Sequence, residues 1–131
     1  HCQRNLMDCA WSNYRIQFGS GNEYAYDQDE MIRYFRAKEK LMAHWQSICP
    51  DGFLNLSYEA MVADQEGETR RLLKYCGLEW EDDCLQFHQN SRPVRTASSV
   101  QVRSPIYKTS IKAWEPYADI LAPMIKALAE K

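Results

Sequence analysis

The apolar positions of this chain fall into blocks with helical spacing, separated by short polar or glycine-rich breaks. Over about residues 8–18, Trp11, Tyr14 and Phe18 recur at intervals of three and four and stop at Gly19-Ser20-Gly21-Asn22, which predicts a first helix and a glycine-rich turn. Asp27 or Asp29 then caps a long amphipathic helix running to about Ile48. Its core face carries Met31, Tyr34, Phe35, Leu41, Met42, Trp45 and Ile48, and its solvated face carries Arg33, Arg36, Lys38, Glu39 and Lys40. Pro50-Asp51-Gly52 breaks the pattern, and residues 53–58 alternate with period two, as a strand does.

A further helix over about residues 66–76 has Leu72, Leu73 and Cys76 apolar and Gly77 just past its end. A shorter one covers residues 82–88. Residues 89–105 are polar and basic with no regular pattern, and such loops tend to carry function. Residues 106–114 and 117–129 read as helical, with Pro116 and Pro123 starting or breaking turns. The whole is an α/β pattern, mostly helical with one or two strands.

At 131 residues, 45% hydrophobic and 26% charged, this is one domain's worth of chain with room for a modest core. A net charge of −2 gives no bulk attraction for nucleic acid, so an anion site has to be local. No apolar run approaches the roughly 18 residues that span a bilayer, and the opening His1-Cys2-Gln3-Arg4-Asn5 lacks the apolar core of a signal peptide. With no initiator methionine, the chain is expected to be a piece of something longer. Five cysteines, an odd count without a CxxC pair, predict buried thiols rather than a disulfide framework or a zinc site, and with them a reducing, cytoplasmic setting.

The candidate chemistry starts at Arg4, placed just before the first helix, and Ser12, eight positions later and about two helical turns on. A guanidinium fork and a hydroxyl suit the oxygens of one phosphate. The helix start is expected to add unused backbone N–H groups and a favourable dipole.

Three separated blocks carry a resemblance: Arg4-Asn5-Leu6-Met7-Asp8 through Ser12-Asn13-Tyr14, then Phe18-Gly19-Ser20-Gly21 with Tyr26-Asp27, then Leu41-Met42-Ala43-His44-Trp45. Tyr58-Glu59-Ala60-Met61-Val62, Phe87-His88, Val94-Arg95-Thr96-Ala97-Ser98, the run 101–107 and Trp114 continue it along nearly the whole chain. The sequence resembles the C-terminal half of a sulfotransferase, in particular the bacterial, often tetratricopeptide-linked sulfotransferases related to protein-tyrosine sulfotransferases.

The resemblance implies a P-loop-like α/β fold that binds 3′-phosphoadenosine 5′-phosphosulfate (PAPS) as sulfuryl donor and serves a hydroxyl or amine acceptor, left open between a peptide tyrosine, a saccharide and a small molecule. It implies that Arg4 and Ser12 grip the 3′-phosphate, that Tyr58 contacts the nucleoside region and that Ser98 lies close to the phosphates. A lysine just before the late tryptophan contributes in relatives; here Ala113 holds that place, and Lys112, one residue earlier, is the candidate carried over. The loop that holds the 5′-phosphosulfate and the general base lie upstream of the matched segment in the family. The 131 residues are therefore expected to be the C-terminal part of a single domain, inactive alone.

Other residues weigh less. His44, among Leu41, Met42 and Trp45, is expected to be a packed or hydrogen-bonded structural histidine, and Trp45 and Trp114 to serve packing. His88 stands beside the basic loop, where it could orient neighbours. Of Arg92, Arg95 and Arg103, Arg103 is the best ligand candidate. A kinase of P-loop type would need Mg²⁺ ligands and a GxxxxGK[ST] loop, and the sequence contains no such loop. The remaining rival is a non-catalytic nucleotide-binding or helical interaction module derived from the same fold.

Overall fold

A computed structural model describes residues 1–94 and 100–129. The chain divides into two compact units, one made of His1–Gln3 with Leu54–Lys108 and the other of Arg4–Phe53 with Thr109–Lys131.

The first unit holds a two-stranded parallel sheet, β1 (Cys2–Gln3) beside β2 (Leu56–Ser57), in the register Cys2 to Leu56 and Gln3 to Ser57. The His1 backbone nitrogen donates to the Leu54 carbonyl at 2.7 Å, and the Leu56 N–H donates to the His1 carbonyl at 2.9 Å, extending the pairing by one residue. The alternating run 53–58 thus yields only two strand residues. Ser57 ends the strand because its Oγ accepts from the Ala60 N–H at 3.2 Å, which caps α3 (Tyr58–Ala63) and makes Tyr58 the first helical residue.

Next comes α4 (Gln65–Cys76), within one residue of its predicted start. Asp64 caps it through the Gly67 N–H at 2.9 Å. Gly77 takes φ +68°, and the pair Leu78 N–H to Leu73 carbonyl (2.9 Å) and Gly77 N–H to Lys74 carbonyl (3.2 Å) closes a Schellman motif. Arg71 reaches from Glu68 to the Asn55 carbonyl at 3.0 Å, tying α4 to the segment before β2. That pairing with Glu68 holds the Arg71 pKa above its ordinary value. The predicted helix at 82–88 is a 3₁₀ stretch, Asp82–Gln89, kinked at Gln86 (φ −107°, ψ 30°). In the basic loop, Gln101–Arg103 forms one 3₁₀ turn, while residues 95–99 lie outside the described residues.

The second unit is helical. Asn5 caps α1 (Leu6–Tyr14), which stops short of its predicted end where the Ile16 N–H bonds to the Asn13 carbonyl at 3.2 Å, three residues back instead of four. The glycine-rich turn is closed by Tyr26, whose hydroxyl donates to the Phe18 carbonyl at 2.7 Å and accepts from the Phe18 N–H at 2.8 Å. Asp27 caps α2 (Gln28–Ile48) as the sequence predicts, accepting from the Glu30 N–H at 2.9 Å. Of the predicted C-terminal helices only α5 (Ala122–Ala129) forms. Lys112 at φ +58° interrupts any right-handed helix through residues 106–114. Glu115–Tyr117 makes a 3₁₀ turn, and the Pro123 ring, which would clash with the carbonyl four residues earlier, keeps α5 from starting sooner.

Met7 and Ala10 of α1, Ala25, then Met31, Ile32 and Phe35 of α2 meet Leu121 and Met124 in one core. Only the first half of the predicted apolar face of α2 is used. Leu41, Trp45 and Ile48 stay 54%, 46% and 52% exposed, because a 21-residue helix is about 31 Å long and outruns the α5 turns packed on it. His44 is likewise exposed, edge-on to Trp45, and is not a packed histidine. The cysteines are not buried either: Cys2, Cys49 and Cys76 are exposed and Cys9 and Cys84 half-buried. No helix among the described residues is long and apolar enough to cross a membrane.

The split of α2 has a measurable consequence. Leu121→Ala is expected to destabilise the fold by about 2–5 kcal/mol, and Ile48→Ala by less than about 0.5 kcal/mol, in urea unfolding; similar losses at both sites contradict this division. Tyr24 stacks on Tyr34 with ring centroids 3.9 Å apart, and burial first, then the neighbouring Tyr34, raises the Tyr24 pKa. A raised phenol pKa means stability that is complete below the unfolded value of about 10 and lost as pH rises above it. The urea midpoint should therefore fall from about pH 9.5 upward, and less steeply in Tyr24→Phe; identical slopes would remove Tyr24 from this role.

Candidate functional site

Each strand of the sheet is followed directly in sequence by a candidate residue, Arg4 after Gln3 and Tyr58 after Ser57. They belong to different units. Arg4 is half-buried at the junction into α1, and its Nη2 donates to the Ser110 carbonyl at 2.6 Å, a contact across 106 residues of sequence. Ser12 is half-buried on α1, six residues past Leu6, which puts it roughly 9 Å along the helix axis. The structure thus places Arg4 and Ser12 at opposite ends of α1 within one unit.

The helix start is less available than the sequence suggests. Asn5 Oδ1 already accepts from the Met7 N–H at 3.0 Å and the Asp8 N–H at 3.2 Å. Asp8, in the first turn, is 1% exposed, and both its carboxyl oxygens are buried without a hydrogen-bond partner among the described residues. An acid there complements the helix dipole and opposes a second anion. Two of the backbone N–H groups at this junction are therefore already engaged by Asn5. Asp8 was not singled out by the sequence reading, yet the signal was present: positions 4, 8 and 12 are four apart, so an acid stands between the arginine and the serine. Ser110 carried no such signal, because its part is played by a backbone carbonyl.

Lys112 is exposed, and its ammonium pairs with Glu115 at 3.2 Å. Its segment is nonetheless attached to the same unit: Trp11 of α1 stacks on Tyr117 with centroids 4.3 Å apart, and half-buried Trp114 packs on the core as expected. A cavity of about 530 Å³ in this unit is lined by Leu6, Phe35, Arg36, Lys40, Ala127 and Leu128; none of the candidates lines it.

In the other unit, Tyr58 is half-buried at the N-terminus of α3, with Glu59 held by the Ser57 hydroxyl at 3.0 Å. Ser98 and Arg95 lie outside the described residues. Arg103 donates through Nη2 to the Arg92 carbonyl, so it braces the basic loop. His88 is half-buried, edge-on to Phe87 at 5.6 Å. No group of three or more metal-ligating side chains occurs among the described residues.

Residues 1–82 match the model of the sulfotransferase family; Arg4, Ser12 and Tyr58 fall within the match, and Ser98 and Lys112 beyond it. A protein of Aquifex aeolicus (strain VF5), whose description reads only "Uncharacterized protein", is 35% identical over 133 residues, an alignment that takes in 99% of this chain and 18% of that protein. The chain spans less than a fifth of that relative's length. No solved structure matches it. A half-buried arginine where a parallel strand hands over to a helix, a serine two turns on, and a family match over well more than half of the residues lead to one assignment: the chain belongs to the sulfotransferase family.

Proposed function

We propose that this chain is the 3′-phosphate- and nucleoside-binding part of a sulfotransferase that uses PAPS. The observation that carries the reading is the half-buried Arg4 at the β1-to-α1 junction with Ser12 on the following helix, both inside the family match. The 3′-phosphate distinguishes this donor from ordinary adenine nucleotides, so its recognition calls for a dedicated cation in fork geometry with hydroxyls completing the oxygen shell. Arg4 and Ser12 have that chemistry, and Asn5 already takes the Met7 and Asp8 N–H groups at the helix start. Tyr58 serves the nucleoside and Ser98 the phosphates in this proposal, each carried over from the resemblance. When bound, the donor supplies a sulfuryl group for a hydroxyl or amine acceptor.

The fold proposed is a P-loop-like α/β sheet of which β1 and β2 are a part. Two paired strands of two residues each are far below what stands as an independent parallel sheet, and the relative extends well beyond the region matched. The 131 residues then form the C-terminal part of one domain and bind nucleotide without transferring the sulfuryl group. The proposal includes a cytoplasmic setting, where exposed Cys2, Cys49 and Cys76 stay reduced. The exposed stripe of Leu41, Trp45 and Ile48 favours a second reading, a helical interaction module that keeps the fold without the reaction.

Arg4→Ala is expected to weaken adenosine 3′,5′-bisphosphate binding at least about tenfold, the loss of one charge-assisted bond of about 1.5–3 kcal/mol, while 5′-AMP binding stays nearly unchanged. Calorimetric titration of both ligands decides it. Equal losses for the two take the 3′-phosphate away from Arg4.

A further inference from the structure

We propose that Lys112 acts through its backbone and not its ammonium: its left-handed conformation aims the Ser110 carbonyl at Arg4 and so sets the orientation of the guanidinium. This rests on the reading of Arg4 given above. Three observations carry it. Lys112 is the one non-glycine residue at positive φ among the described residues, at +58°. Its ammonium is engaged with Glu115 at 3.2 Å on the exposed side of the turn. Two residues before it, the Ser110 carbonyl accepts from Arg4 Nη2 at 2.6 Å.

The chain after Lys112 is anchored. The Glu115 N–H donates to the Lys112 carbonyl at 3.1 Å, Tyr117 stacks on Trp11, and Leu121 is fully buried in the core. With that end fixed, φ at residue 112 sets the direction in which residues 109–111 leave. A right-handed value swings the Ser110 carbonyl away from Arg4. Only glycine adopts the left-handed region without cost, asparagine tolerates it, and β-branched residues resist it. The side chain at 112 therefore matters through its backbone preference, and the pairing with Glu115 serves to hold lysine in an unfavoured conformation.

The test is a series at one position, Lys112→Gly, Lys112→Asn, Lys112→Met, Lys112→Ala and Lys112→Val, read two ways in the 131-residue chain. Without ligand, ¹⁵N NMR of the arginine side chains reports hindered rotation of the Arg4 guanidinium, its signal assigned by its disappearance in Arg4→Lys. With ligand, titration of adenosine 3′,5′-bisphosphate reports the consequence. Glycine and asparagine are expected to keep the hindered Arg4 signal and an affinity within about threefold of the parent, whereas valine loses the signal and at least about tenfold in affinity. Methionine and alanine, with ordinary side chains and no charge, fall between, and Gly against Ala decides the matter even if valine prevents folding. Loss of the Arg4 signal in Lys112→Gly, or an Arg4 signal in Lys112→Ala as strong as in Lys112→Gly, overturns the proposal. A parent chain without preference for the bisphosphate ends the reading of Arg4 as a 3′-phosphate ligand, while the ligand-free signal still decides the backbone role of Lys112.

Discussion

The helical unit depends on the return of residues 109–129 to α1 and α2. Leu121 and Met124 are fully buried against Met7, Ala10, Met31 and Phe35, each burial contributing about 1.5–3 kcal/mol before cavity effects. Polar ties fix the register of that return: Gln28 Nε2 to the Ile120 carbonyl at 3.2 Å, Arg36 Nη2 to the Ala127 carbonyl at 3.0 Å, and Arg4 Nη2 to the Ser110 carbonyl. These contacts close a loop of roughly a hundred residues, yet closure entropy grows only logarithmically with length, so a whole second unit can sit between the two halves. The same closure that covers the core also places a carbonyl against the arginine. Stability and the proposed phosphate grip share one element.

Electrostatics narrows how that grip can work. Asn5 takes the Met7 and Asp8 N–H groups of α1, and buried Asp8 puts a carboxyl in its first turn, so the helix dipole is partly answered from within. In the proposed site the anion meets the Arg4 guanidinium, turned toward the Ser110 carbonyl, and the Ser12 hydroxyl farther along α1. The proposed phosphate grip therefore rests on side-chain geometry, and with it on the backbone angle at Lys112.

The elements legible in the sequence were those with local stop and start chemistry. Asp27 and Ile48 bound α2, and Gly77 ends α4, because a cap and a left-handed glycine act within a few residues; the Asp64 cap of α4 was not read from the sequence. Where tertiary context decides, pattern reading went astray. The alternating run 53–58 was cut to two strand residues by the Ser57 cap, and the 106–114 helix was prevented by Lys112 at φ +58°. The apolar stripe of α2 overpredicted burial, since periodicity reports a face and not how much core there is to cover it; the five cysteines were misjudged for the same reason. That Arg4 precedes α1 and Ser12 lies on it followed from the helix pattern. The partner of Arg4 did not, being a backbone atom 106 residues away, and the burial of Asp8 showed only once the core was assembled.

The central claim is that this chain tells a 3′-phosphorylated nucleotide from one without that group. The most direct measurement is calorimetric titration of the parent chain with adenosine 3′,5′-bisphosphate and with 5′-AMP, at equal ionic strength. The account predicts that the bisphosphate binds at least about tenfold more tightly, the contribution of one charge-assisted contact set. Equal affinities, or binding of neither, contradict it.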